Sequence, residues 1–155
     1  MDRRDIGKVL ETCEFFMGLD ESNIDRIAGL CQVETYKPGE YVFRQGDFGE
    51  HLYVIAEGRI SLERAVDLGA RKGRVVIGIL GKGRVFGCWS TLLDEPHNLM
   101  SSATSEKTTK VLVMNGEELR KMMLGDMGLG FNVLEKLCFL LRNRIRGAYG
   151  AMEKI

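Results

Sequence analysis

Hydrophobic residues recur at helical spacing at both ends of the chain and alternate with polar ones in between. The pattern predicts helices flanking a body of short strands. Across residues 4–17, Ile6, Val9, Leu10, Cys13 and Phe16 or Met17 share one helical face, and Gly18 is placed to stop that helix. Asp20 suits the cap of a second helix reaching about Cys31, whose stripe is Ile24, Ile27, Ala28 and Cys31. From Val33 to Met114 alternation takes over, in Tyr41–Phe43, His51–Ile55, Arg59–Arg64 and Arg74–Leu80, with further strands near Met100–Ser105 and Lys110–Met114. Pro38-Gly39, Gly46-Asp47, Gly58, Asp67–Gly69 and Gly81–Gly83 supply the turns. Short strands separated by glycine turns at intervals of about 8–12 residues predict a small sandwich, barrel or roll. Asp67–Gly73 reads as an exposed hairpin tip.

After Met114 the spacing is helical again. Asn115 and Glu118 stand at the positions of a capping box, and a longer helix is predicted from near Met127 to about Tyr149. It carries Leu134, Leu137, Leu141, Ile145, Ala148 and Met152 at spacings of three and four. Such a stripe either packs on its own domain or meets a second copy. It outlasts what a small roll needs as cover, so a homodimer through the last helix is expected.

Composition narrows the function. With 45% hydrophobic and 28% charged residues in 155 positions, the chain has a globular balance and the size of one domain. Lysine plus arginine and aspartate plus glutamate are 22 each, leaving no basic excess for phosphate backbones. Apolar runs such as Val111–Met114 fall far short of the roughly 20 residues that span a bilayer. The mixed charges of Met1–Ile6 do not make a signal peptide, so a cytoplasmic protein without a membrane role is expected. Cys13, Cys31, Cys88 and Cys138 are scattered, without the grouping that a zinc or iron–sulfur site needs. Three of them read as buried, reduced thiols; Cys88 stands apart.

The ordered turns and apolar positions of Tyr36–Ile60 resemble the cyclic nucleotide-binding domain family, the β-roll of catabolite-activator-type bacterial regulators, kinase regulatory subunits and cyclic-nucleotide-gated channels. Phe15–Leu19 is similar to the family's leading helix, and Gly83–Gly87 to the strand before its ligand cassette. The resemblance implies a mainly β fold with flanking helices, a jelly-roll-like double-stranded β-roll. It makes one domain of residues 1–155, with N-terminal helices (1–32), a roll (33–114) holding a cassette at 86–99, and C-terminal helices used for dimerisation (115–155).

In the family, a glutamate after Phe-Gly holds the ribose, and an arginine, commonly after a proline, clamps the cyclic phosphate at a short helix. Aligned on Phe86-Gly87 and Pro96, those positions hold Cys88 and His97. A thiol cannot offer two carboxylate oxygens, and an imidazole lacks the guanidinium fork. Leu99 and Trp89 are also bulkier than the family's usual residues there. Gly87, Cys88, Trp89, Ser90, His97, Asn98 and Leu99 are therefore the candidate ligand residues of a degenerate cassette, with weak cAMP binding expected.

Each of these also has a plainer reading: Gly87 as backbone geometry, Trp89 with Leu92 and Leu93 as packing, His97 as a loop residue and Cys88 as a small filler. At a helix N-terminus, however, a thiol becomes more reactive. His51 reads as structural, and Arg142, Arg144 and Arg146 as a solvated helix face.

No hydrolase or phosphate-loop motif is present, so no enzyme, catalytic residue or metal is expected. The residues after Tyr149 leave no room for a helix-turn-helix unit, so direct DNA binding is not expected. The reading is a sensory or regulatory module that takes a cyclic nucleotide or another anionic small ligand and relays to a protein partner. The alternatives are a ligand-free interaction scaffold, a thiol redox sensor through Cys88, and haem sensing through His97 or Cys88.

Overall fold

Asp2 opens the first helix by accepting the Asp5 N–H, while the Asp5 carboxylate accepts the Asp2 N–H, in a computed structural model that describes residues 1–154. This helix, α1, spans Arg3–Glu11 and so ends well before Gly18. The cause is tertiary. The Glu14 N–H donates to the Gly83 carbonyl, and the Glu14 carboxylate accepts the Val85 N–H, so residues 12–18 turn away to dock on the strand body. Asp20 caps α2 (Glu21–Ala28) through the Asn23 N–H, as expected.

Eight antiparallel strands follow in two sheets. They are β1 (Gln32–Tyr36), β2 (Tyr41–Phe43), β3 (His51–Glu57), β4 (Ile60–Asp67), β5 (Lys72–Leu80), β6 (Val85–Gly87), β7 (Ser102–Ser105) and β8 (Thr109–Asn115). One sheet has the order β1-β8-β3-β6 and the other β2-β7-β4-β5. The period-two alternation of β3 and β8 divides the core between two layers. Leu52, Val54, Leu112 and Met114 face the helices, while Ile55, Val111 and Val113 face the interior of the roll beside Phe43, Ile60, Leu62 and Phe86.

Asn115 caps α3 (Gly116–Gly125) through the Glu118 N–H. Asp126 then caps α4 (Met127–Met152) through the Leu129 N–H. Leu129, Val133, Leu137 and Leu140 seat the first part of α4 in the helical core. Its second part lies on β5. At Gly147 even a Cβ would stand 2.6 Å from the Ile77 carbonyl oxygen, so the absence of a side chain sets how closely the helix approaches the strand. Among the described residues, no helix is long and apolar enough to cross a membrane.

Candidate functional site

β6 delivers the chain to the cassette through Gly87, whose φ of +113° is open to glycine and costly for other residues. A Cβ at this position would also meet the His51 carbonyl oxygen at 2.5 Å. Gly87→Ala is expected to cost about 3 kcal/mol and to lower the melting temperature by about 10 °C, read by thermal unfolding.

The Cys88 N–H is committed to the His51 carbonyl, and Thr91 Oγ1 donates to the Cys88 carbonyl. The helix beyond them is a single 3-10 segment, Trp89–Leu93, held from α3 by Arg120 Nη1 donating to the Leu92 carbonyl at 2.6 Å.

The candidate residues divide in two. Gly87, Trp89, His97 and Leu99 line a cavity of about 560 Å³ between the roll and α4. Cys88, Ser90 and Asn98 do not. Ser90 is buried and Asn98 exposed. Cys88 is fully buried inside the roll, its Sγ 3.7 Å from the His97 carbonyl oxygen and 4.0 Å from His97 Nδ1. That burial gives a redox sensor at Cys88 no support, because an oxidant has no path to the thiol. Burial pushes the thiols of Cys13 and Cys31 up to about 11 and about 12, whereas Cys138, expected to be buried, is exposed. Of the packing residues expected in the cassette, Leu92 is buried, Trp89 half-buried and Leu93 exposed.

His97 stands edge-on to the Trp89 ring at 5.7 Å. Phe43, Leu62, Ile77, Phe86 and Leu99 make the roll's side of the cavity apolar. Leu140, Leu141, Arg144, Ile145 and Ala148 of α4 form its roof. Here the structure corrects the reading of the three arginines. Arg142 and Arg146 are exposed, but Arg144 turns inward and donates from Nη2 to the Val85 carbonyl at 2.6 Å. Burial lowers its pKa from the ordinary arginine range, partly offset by the nearby Glu14 carboxylate. Arg64 also reaches the cavity from β4 and donates to the Met100 carbonyl.

The long helix is corrected in one position. Leu137 is 4% exposed and belongs to the core, so it cannot join an external seam. The outward face is instead Met127, Phe131, Leu134, Cys138, Leu141, Ile145, Ala148 and Met152, an unbroken alternation of fours and threes. Met127, Phe131, Ile145 and Met152 are each more than half exposed.

The structure is thus a roll of eight strands with an α4-roofed cavity behind Phe86-Gly87. The sequence profile of the cyclic nucleotide-binding domain matches residues 33–126. The chain belongs to that family. It is 32% identical over 137 residues to the cyclic AMP receptor protein of Thermus thermophilus, a match covering 86% of this chain and 57% of that one. It is 33% identical over 118 residues to a cGMP-dependent protein kinase of Toxoplasma gondii, covering 76% of this chain and 11% of the kinase. The chain thus spans little more than half of the receptor protein and about a tenth of the kinase. A cyclic nucleotide-binding domain from Methylobacillus flagellatus has the same fold, with a TM-score of 0.78 at 19% identity over 99% of this chain and 84% of that one.

Proposed function

We propose that the chain is a non-enzymatic, ligand-responsive regulatory module that works as a homodimer through α4, binds cAMP weakly and relays cavity occupancy to a downstream protein in the cytoplasm. The carrying observation is that Leu141, Ile145 and Ala148 belong both to the cavity roof and to the outward heptad run. A molecule seated in the cavity would press on the helix residues that pack against a second copy. Occupancy and pairing are then coupled through side chains common to both, the physical requirement for a signal between two sites. Phe131, Leu134, Ile145 and Met152 supply the exposed apolar area that a self-complementary seam would bury.

Cys138 tests the seam. It is exposed and lies near the middle of the run, so either helix orientation brings the two copies' thiols close together. Mild oxidation at micromolar protein is expected to give a disulfide-linked dimer on a non-reducing gel, and Cys138→Ser is expected to remove it. Protein that stays uncrosslinked while Cys138 still alkylates would contradict pairing through this face.

A further inference from the structure

The chemistry of the cavity points to a kind of ligand, resting on the reading of that cavity as the sensor site. Most of its wall is hydrocarbon or aromatic, as in Phe43, Leu62, Phe86, Leu99, Leu141 and Ile145. Among the described residues its charged lining is Arg64 and Arg144, with the His97 imidazole and the Ser101 hydroxyl beside them. No aspartate or glutamate is among the described residues that line it. A ribose needs acceptors for its hydroxyls, and the carboxylate that would serve is missing: residue 88 is a cysteine that points out of the cavity, into the roll.

A volume of about 560 Å³ lies in the range that encloses a small organic molecule. The two cations differ in readiness. Arg64 is exposed and holds a loop carbonyl, whereas Arg144 is part-buried on the roof. Among the described residues the Arg144 side chain makes one hydrogen bond, to the Val85 carbonyl, and a guanidinium has five N–H donors, so others remain for a planar anion. Glu14 and Arg84, the charged groups that influence Arg144 from outside, do not line the cavity.

We infer that the cavity takes an amphipathic organic acid, an aliphatic or aromatic body with one carboxylate, whose head is held by Arg144 and whose body lies against Phe43, Phe86 and Leu99. Because Arg144 is on α4, the head would tie the roof helix to the ligand, and thereby to the seam.

The chain's single tryptophan, Trp89, lines the cavity and reports filling by its emission. Octanoate, 1-octanol and octylamine, one chain length with three head groups, are titrated against Trp89 emission and by calorimetry. Octanoate is expected to bind at least about tenfold more tightly than 1-octanol, and octylamine most weakly, as a charge-assisted contact requires. Arg144→Met is expected to bring octanoate to the level of 1-octanol while leaving 1-octanol unchanged. Should that variant fail to fold, Arg144→Lys keeps the charge, loses the fork and is expected to weaken octanoate severalfold; an unchanged affinity would overturn the assignment of Arg144. Equal binding of octanoate and 1-octanol, or tighter binding of octylamine, would overturn the acid while leaving the cavity a ligand site. Silence from all three, and from cAMP and cGMP, would overturn the cavity reading as well.

Discussion

Cyclic AMP is expected to bind this protein with a dissociation constant no tighter than high micromolar, measured by calorimetry. Two charge-assisted contacts that the family resemblance places at residues 88 and 97 have no counterpart in Cys88 and His97. Each such contact is worth about 1.5–3 kcal/mol, so losing both weakens binding by about two to four powers of ten. The structure adds to the deficit. Leu99 presents a buried aliphatic chain at the cavity wall, and Cys88 faces the roll interior. His97 does face the cavity, so His97→Arg returns a fork to a usable place. Because residue 88 lies inside the roll, the single variant His97→Arg, without Cys88→Glu, is expected to bind cAMP more tightly than the parent. If it folds and its affinity stays flat, Leu99 or Trp89 is the obstruction, and trimming each to alanine is the next measurement.

Phe131→Glu is expected to weaken dimerisation about a thousandfold and to leave a folded monomer. Phe131 is 69% exposed in the isolated chain, so a carboxylate there costs the fold little. In a pair of α4 helices, the same position would bury an aromatic ring from each copy. Losing about 2 kcal/mol of apolar burial per copy gives about 4 kcal/mol per dimer, before the repulsion between two carboxylates brought close together. Circular dichroism separates this outcome from misfolding, since helix content and melting are expected to stay near those of the parent at high dilution. Phe131 is a cleaner probe than Leu141 or Ile145, because those two also line the cavity and would disturb ligand and seam together.

The sequence made the roll legible because β-strands write themselves locally. Leu52, Val54, Leu112 and Met114 alternate with Ile55, Val111 and Val113, and caps such as Asp20 and Asn115 announce helix starts one residue ahead. What stayed hidden depends on contacts made far along the chain. α1 ends early because Glu14 bonds to Gly83 and Val85, about seventy residues away. β1 is mostly exposed or half-buried at a sheet edge, and Gln32–Tyr36 offers weak alternation. On α4, the apolar face that meets the core runs directly into the apolar face beside it, so spacing alone placed Leu137 on the external stripe although the core claims it.

The candidate site was legible in the same partial way. Phe86-Gly87 and Pro96 led to His97 and Leu99, and both line the cavity. Arg144 was hidden among Arg142 and Arg146: residues two apart on a helix point in nearly opposite directions, and only packing decides which one turns inward. Cys88 looked like a reactive thiol at a helix start, yet the 3-10 segment is short and its first sulfur is folded into the roll.

Sedimentation equilibrium of the unmodified protein at micromolar concentration tests pairing through α4 most directly. The expected result is a species of twice the 17.4 kDa chain mass that Phe131→Glu reduces to the single chain. A single 17.4 kDa species for the unmodified protein across that range would contradict it.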